Sequence, residues 1–257
     1  LFKTKMRYRG TTWGNADLAI VSEGLTGKQT IQIDRFNSVT GDLEKLITRN
    51  TTNAYANPGQ PLTAPNQYGK NVLLTIDNGN KIIFNNTTGS SPKGDLPFLM
   101  SFDVHKKKAD TLWRSPEGYF EYVVKLLDAG KLSLVTRKES EKDMPNYWLK
   151  NLRLRIADRQ LTAFTNPYPQ MEGVSKEKIK YKRADGVDLT GDLYLPKGYN
   201  KERDGKLPVL IWAYPAEYNS ADDAAQIRGS EHKFTLIGGA SPVMYVTQGY
   251  AVLNNAE

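Results

Sequence analysis

The chain has 257 residues, of which 39% are apolar and 25% are charged, with a formal net charge of +7. This length supplies one large domain or two ordinary domains with cores of their own, and no run approaches the roughly 18 apolar residues of a membrane span. The absence of cysteine excludes disulfides, thiolate metal sites and a cysteine nucleophile.

The first part of the chain, residues 1–170, repeats one pattern of short segments with period-two alternation. These segments lie at 18–22, 30–36, 43–48, 81–85, 99–105, 111–114, 131–136, 147–156 and 160–164. Alternation between polar turns indicates antiparallel meanders rather than helices. Groups of about four segments recur every ~50 to 65 residues, close to the length of a propeller blade with loop insertions. We predict a partial β-propeller of about three blades over residues 1–170 and favour it over a sandwich.

The densest positive run, the lysines at 106–108, lies between two of these segments. Asp103 and Asp110 flank it, and the other basic residues are interleaved with acidic ones. Charge of this kind is typical of a solvated loop rather than a nucleic-acid contact. We therefore expect no nucleic-acid partner, although a basic field can attract acidic peptides.

The pattern changes at 166–173, where the sequence NPYPQMEG interrupts the alternation with two prolines. Segments 179–182 and 189–195 flank an Asp-Gly turn and predict a hairpin. An apolar strand at 209–213, a polar segment at 220–229 that can carry a helix, and a strand at 250–254 follow. Two antiparallel strands before a mixed βαβ unit indicate the start of an α/β-hydrolase sheet. We predict a second domain over residues 171–257, so that the fold class is mainly β, then α/β.

Several stretches of the sequence resemble the prolyl oligopeptidase family, and most closely its glutamyl endopeptidase branch. The first strands of that family's peptidase domain are similar to KIKYKRADGVDLTGDLYLPKGY, LPVLIWAYPAEYNSADDAAQIRGSEHKF and SPVMYVTQGYAVLNNAE. The last propeller blades of the branch are similar to PFLMSFDVHKKKADTLWRS and MPNYWLKNLRLRIADRQLTAFTNPYPQ. The resemblance implies a serine peptidase that works through an acyl-enzyme, with a propeller gating access and with cleavage after Glu as the branch's specificity.

The resemblance also gives a role to Tyr214, which follows the apolar strand at 209–213. The matching family residue donates its hydroxyl to the oxyanion of the tetrahedral intermediate. A fixed phenol donor suits that task, because negative charge develops on the oxygen in a cleft that excludes water. The sequence Tyr-Pro-Ala-Glu departs from the glycine-containing forms of the family, and the alternative is a ring that only caps the strand.

The nucleophile motif Gly-x-Ser-x-Gly does not occur in the sequence. Ser22 and Ser241 lie in the nearest imitations, and each lacks a required glycine. His105 and His232 are the only histidines, and both are expected in loops. In the family the Ser, Asp and His follow the fourth strand, which would place all three beyond Glu257. We therefore expect an internal fragment that is inactive alone.

Glu217 and Arg228 are the candidate substrate contacts, because both follow the strand that ends before Tyr214. The guanidinium of Arg228 offers a two-pronged donor to a carboxylate, which suits a glutamate side chain. A structural ion pair with Asp222 or Asp223 is the alternative for Arg228. We expect no metal and no organic cofactor, since neither histidine has a partner at a metal-binding spacing.

Three functions remain open at this point. The first is part of a serine peptidase, with a peptide substrate and the rest of its own catalytic domain as partners. The second is a propeller that binds partners without chemistry, and the third is an esterase or acylaminoacyl hydrolase of the same fold. The compartment is not fixed by the sequence, and our expectation leans to an exported, periplasmic protein of a bacterium.

Overall fold

A computed structural model describes residues 2–15, 17–154, 156–213, 218 and 220–256. The first sheet is an antiparallel meander in which each strand pairs with the next along the chain. Its strands are β1 (Arg7–Asn15), β2 (Leu18–Leu25), β3 (Thr30–Phe36) and β4 (Leu43–Asn50). The last three of these strands were predicted, and β1 was missed.

The second sheet is larger and has a small hairpin beside it. A 3-10 helix at Ala54–Ala56 comes first along the chain. The strands are β5 (Gln60–Pro61), β6 (Thr63–Pro65), β7 (Asn71–Leu73), β8 (Thr75–Ile76), β9 (Lys81–Asn86), β10 (Phe98–Asp103) and β11 (Lys108–Arg114). The sheet has the order β11-β10-β9-β5, with β8 also pairing β9, while β6 and β7 pair with each other. Its three longest strands coincide with the predicted segments.

The third sheet is again an antiparallel meander of neighbouring strands. It consists of β12 (Phe120–Asp128), β13 (Ser133–Glu139), β14 (Asn146–Asn151) and β15 (Arg159–Gln160). Strand β12 was not predicted, and β15 is shorter than the predicted segment at 160–164.

The side chains of β9 explain why the three sheets pack in sequence. Ile82 and Phe84 point to one face of the strand, where they join a cluster with Leu18 and Ile20 of the first sheet. Ile83 points to the other face and joins Val123, Leu126 and Leu134 of the third sheet. All three β9 side chains are fully buried. Because alternate residues of one strand face opposite ways, the second sheet lies between the first and the third.

The last sheet mixes parallel and antiparallel pairs in the order β16-β17-β19-β18. After a 3-10 helix at Pro169–Met171, the elements are β16 (Ser175–Lys182), β17 (Asp188–Leu195), α1 (Lys201–Asp204), β18 (Val209–Ala213), α2 (Ala221–Ala224), a 3-10 helix at Pro242–Gln248, and β19 (Ala251–Ala256). Strand β18 is parallel to β19, and the other pairs are antiparallel. The fold-class prediction, mainly β followed by α/β, is confirmed.

The predicted hairpin joins β16 to β17. Gly186 has φ +87°, a left-handed conformation that an Asp-Gly turn supplies without strain. Its N–H donates to the carbonyl of Arg183, which closes the turn. The division of the chain at 170/171 stays a prediction, and β15 and β16 lie on either side of it.

The 3-10 helix at Pro242–Gln248 covers one face of the mixed sheet. Its Val243 and Val246 pack on Tyr194 of β17 and Val252 of β19. Burial raises the pKa of Tyr194 to about 12, with the charge of Asp192 adding to the shift. Strand β18 forms one edge of this sheet, and its Ile211 is 64% exposed. In the described part of the chain no helix is long and apolar enough to cross a membrane.

Candidate functional site

The candidate site begins at the carboxyl end of β18. Strands β18 and β19 run parallel, so their carboxyl ends meet at one edge of the sheet, where ligand sites of α/β sheets lie. Tyr214 follows the last residue of β18 directly in the sequence. Tyr214 and Glu217 both lie outside the described residues, and their roles as oxyanion donor and substrate contact stay predictions.

The chain that follows β18, residues 218 and 220–236, is called the docking segment here. It contains α2, whose N-terminus is capped by Ser220, since the Ser220 hydroxyl accepts the N–H of Asp223 at 3.1 Å. Asp223 is buried, and its carboxylate accepts from the Thr52 hydroxyl at 2.5 Å and from the Gln226 amide at 3.1 Å. The short helix is thereby fixed to the loop that follows β4.

Backbone groups complete this first contact between the docking segment and the earlier sheets. The bonds are Ala54 N–H to Gln226 Oε1 at 2.8 Å, Ile227 N–H to the Tyr55 hydroxyl at 2.7 Å, and Asp95 N–H to the Gly229 carbonyl at 2.8 Å. Buried N–H groups need such partners, because an unpaired one costs about 1–3 kcal/mol. The loops before β5 and before β10 therefore carry the docking segment.

Arg228 takes part in the same contact. Its Nη2 donates to the backbone carbonyls of Asp223 at 3.1 Å and Thr52 at 3.4 Å, and its guanidinium lies 4.6 Å from the centre of the Tyr218 ring. Its Nη1 is buried and has no hydrogen-bond partner among the described residues. Arg228 thus reaches Asp223 through the main chain, and among the described residues it forms no ion pair with the carboxylate of Asp222 or Asp223.

A second contact joins the docking segment to the third sheet through Glu139, the last residue of β13. One carboxylate oxygen accepts the N–H of Phe234 at 2.9 Å, and the other accepts Nη1 of Arg137 at 3.0 Å. Glu139 is 4% exposed, and this burial raises the pKa of its carboxyl although Arg137 and the Phe234 N–H oppose the shift. Arg137 also donates to the hydroxyl of Tyr122, its cross-strand neighbour on β12, at 3.2 Å.

Two lysines hold the docking segment from either side. Lys176 of β16 donates to the carbonyls of Ser230 at 3.1 Å and Lys233 at 3.4 Å, and burial lowers its pKa. Lys233 pairs with the buried Asp95 at 3.6 Å and lies 4.2 Å from the centre of the Phe120 ring. The docking segment is therefore bonded to the mixed sheet and to the second and third sheets at once.

Three residues of this site, Arg137, Glu139 and Lys233, were not predicted from the sequence as functional residues. The spacing of Arg137 and Glu139 on a strand does place them on one face, which is a usable signal for an ion pair. Their contact with residues 233 and 234 spans 95 positions between Glu139 and Phe234, and no local pattern predicts it.

Of the serines and histidines that were weighed for catalysis, His232 lies in the docking segment, and Ser22, Ser241 and His105 lie outside it. Ser22 lies inside β2, and Ser241 precedes a 3-10 helix. His105 contacts Arg35 at 3.4 Å, and His232 lies 3.9 Å from Glu231. The backbone N–H of His232 donates to the Ser230 hydroxyl at 3.2 Å, and in the described part of the chain no contact joins either imidazole to a serine. The described residues hold no group of three or more Asp, Glu or His side chains that could bind a metal ion.

No protein-family model matches the chain. Two curated proteins named "Probable glutamyl endopeptidase, chloroplastic" are similar to it over 99% of its length, at 36% identity for the Oryza sativa subsp. japonica protein and 35% for the Arabidopsis thaliana protein. The chain spans 28% of the length of each of these relatives. The resemblance to the glutamyl endopeptidase branch of the prolyl oligopeptidase family is thus confirmed along nearly the whole chain.

Solved structures of peptidases show a weaker likeness. Oligopeptidase B from Leishmania major matches 96% of this chain and 38% of its own, at 10% identity and a TM-score of 0.49. Porphyromonas gingivalis dipeptidyl peptidase 4 matches 94% and 37%, at 14% identity and a TM-score of 0.45. At these values the likeness carries no argument about activity.

Proposed function

We propose that this chain forms part of a serine peptidase that hydrolyses peptide bonds, with cleavage after Glu. The observation that carries the proposal is the 36% identity over 99% of the chain to a protein named as a glutamyl endopeptidase. Two features of the chain support it. The sheet strands β18 and β19 end together beside the sequence position of Tyr214, and the docking segment after β18 is bonded to the sheets of the first 170 residues.

In this mechanism a serine outside the chain attacks the carbonyl carbon of the peptide bond. Its proton passes to a histidine and then to the leaving amine, an acyl-enzyme forms, and water hydrolyses it. The contribution of this chain is the hydroxyl of Tyr214, which donates to the oxyanion as the carbonyl becomes tetrahedral. One such donor typically stabilises the transition state by about 3 to 4 kcal/mol.

We assign the contact with the substrate to Glu217 and Arg228. Nη1 of Arg228 has no partner in the described part of the chain, which supports this role because a carboxylate oxygen would satisfy it. Its other bonds, to backbone carbonyls, hold the guanidinium in a fixed position. The sheets of residues 1–170 act as the gate in this proposal, since the docking segment rests on them.

The proposal is tested with the full-length protein that carries this chain. A fluorophosphonate probe should add covalently to one serine, and a blocked peptide containing Glu should be cleaved on the carboxyl side of that residue. Hydrolysis of activated esters without hydrolysis of peptides would favour the esterase alternative. Peptide binding with neither labelling nor cleavage would favour a binding module and would contradict the proposal.

Replacement of Arg228 separates its two roles. Arg228→Ala should reduce the preference for Glu over Gln at the cleavage site, measured as the ratio of the two kcat/KM values. The matched control is Arg203→Ala, an exposed arginine of α1 that pairs with Asp204. If Arg228→Ala leaves the preference unchanged, the residue is removed from the substrate site and its role is to hold the docking segment.

A further inference from the structure

A cavity of about 400 Å³ lies between the third sheet and the docking segment. Arg137, Lys233 and the carboxylate of Glu139 line it together with Phe120, Tyr122 and Leu236. The volume is within the range of small-molecule sites, which are typically 300–1,000 Å³. None of the candidate residues predicted from the sequence lies in its wall, so this cavity is separate from the contact that holds Arg228.

The cations around the cavity are more exposed than the carboxylates with which they pair. The side chains of Arg137 and Lys233 are 23% and 39% exposed, whereas those of their partners Glu139 and Asp95 are 4% and 3% exposed. Both oxygens of Glu139 already accept hydrogen bonds. A ligand in the cavity therefore meets two accessible cations, and the one carboxylate in the wall, Glu139, is neutralised by the bonds it already accepts.

The guanidinium of Arg137 has N–H donors that can bind a carboxylate. The described hydrogen bonds of its guanidinium, to Glu139 and to the Tyr122 hydroxyl, all use Nη1. Nη2 and Nε are left to form the planar two-pronged contact that arginine makes with a carboxylate. Because Arg137 and Tyr122 are paired residues of neighbouring strands, the fork is fixed on a rigid element before a ligand arrives.

The apolar part of the wall suits a carboxylate carried on a short aliphatic stem. Phe120 is 4% exposed and packs beneath Lys233, and Leu236 is 49% exposed beside it. A Glu side chain presents two methylenes to such a surface and its carboxylate to Arg137. An amide of the same shape would lose the charged contact, which for a charge-assisted pair corresponds to about a ten- to hundredfold loss of affinity.

We propose that this cavity binds an acidic side chain of a peptide and that Arg137 distinguishes the carboxylate from the corresponding amide. The proposal deepens the proposed function and rests on it for the choice of a peptide as ligand. It assigns this second acidic contact, apart from the one at Arg228, to the third sheet and the docking segment together, because the cavity exists only where the two meet.

The test is a binding measurement on the 257-residue chain by isothermal titration at low salt. The probes are two peptides with blocked termini that differ only in one Glu or Gln. We expect the Glu peptide to bind about ten- to hundredfold more tightly, and Arg137→Met to bring the two affinities together. Equal affinities for the unaltered chain, or binding of neither peptide, would overturn the proposal.

Two further variants keep the test decisive. Arg137→Met leaves the buried Glu139 with only one of its partners, so the double variant Arg137→Met with Glu139→Gln removes that charge while Phe234 keeps an acceptor. The matched control is Lys138→Met, the next residue on β13, whose ammonium lies over the Tyr119 and Trp148 rings. The control should retain the preference for Glu, and its loss there would overturn the assignment to Arg137.

The binding measurement and the cleavage measurement test the two proposals separately. If the full-length protein labels a serine and cleaves the Glu peptide but the chain binds the Glu and Gln peptides equally, the cavity proposal fails while the peptidase proposal stands. If the chain prefers the Glu peptide through Arg137 but the full-length protein labels no serine and cleaves nothing, the cavity proposal stands and the peptidase proposal fails.

Discussion

Glu139 shows how one buried carboxylate links stability to pH. Burial raises its pKa above the ordinary value of 4.5, so the folded chain holds this proton more tightly than the unfolded chain does. The stabilisation from Glu139 is therefore fully present below about pH 4.5 and is lost as the pH rises through the folded-state pKa. At neutral pH the ionised group is retained because Arg137 and the Phe234 N–H share its charge.

The prediction at this residue is a difference between two pH profiles. From about pH 4 to about pH 7 the free energy of unfolding of the unaltered chain should fall relative to that of Glu139→Gln, because the amide does not titrate. Urea unfolding followed by circular dichroism measures both profiles. The control is Glu141→Gln, two residues further on and exposed. Parallel profiles for the unaltered chain and Glu139→Gln would contradict the assigned pKa shift.

Single residues of the candidate site could be predicted from the sequence only where they follow the end of a strand. Arg228 was chosen because it follows an apolar strand, and it does lie at a contact between distant parts of the chain. The sequence could not show that its bonds go to backbone carbonyls. Arg137 was not chosen, because the Lys233 and Phe234 groups that complete its surroundings lie about 95 positions away.

Among the elements, β9 gives the most direct test of how packing between the sheets stabilises the chain. Phe84 faces the first sheet and Ile83 the third, and both are fully buried. We expect Phe84→Ala to destabilise the chain by about 3–5 kcal/mol and Ile83→Ala by about 2–5 kcal/mol, because each leaves a cavity between two sheets. Urea unfolding gives both values. Thr111→Ala, at an exposed position of β11, is the control and should change stability by less than about 0.5 kcal/mol.

Elements were predictable where a strand pairs with a neighbour without interruption. Strands β2, β3, β9 and β17 each pair with a neighbour without a register shift and were found within a few residues of their bounds. The short strands β5 to β8 were missed, and so were two long strands, β1 and β12, which each carry two register shifts against their neighbour. A bulge inserts a residue and reverses the inward and outward order, so the period-two signal is lost over the length of the strand.

On the scale of the whole molecule, the docking segment couples the mixed sheet to the earlier sheets. The Thr52 to Asp223 and Ala54 to Gln226 bonds join positions that are 171 and 172 residues apart. Contacts of this range have no signature in local sequence, which is why the sheets could be predicted and their mutual docking could not. The family resemblance gave the order of the parts but not these bonds.

The hydrogen bond between Ala54 and Gln226 predicts a change in local hydrogen exchange when it is removed. Gln226→Ala should speed hydrogen exchange at the amide of Ala54, because that N–H loses its acceptor, while amides inside β9 keep their protection. Mass spectrometry of exchanged peptides resolves the two regions. Asp222→Ala, on the exposed side of α2, is the matched control and should leave both regions unchanged. Unaltered exchange at Ala54 in Gln226→Ala would mean that this bond does not hold the segment.

The central claim is that this chain supplies part of a peptidase's catalytic site through Tyr214. Steady-state hydrolysis of a Glu-containing peptide by the full-length protein, compared between the unaltered form and Tyr214→Phe, tests it most directly. We predict that the phenylalanine variant lowers kcat by about 10²–10³ with little change in KM, because the donor acts on the transition state and not on bound substrate. An unchanged kcat in a folded Tyr214→Phe protein would contradict the account.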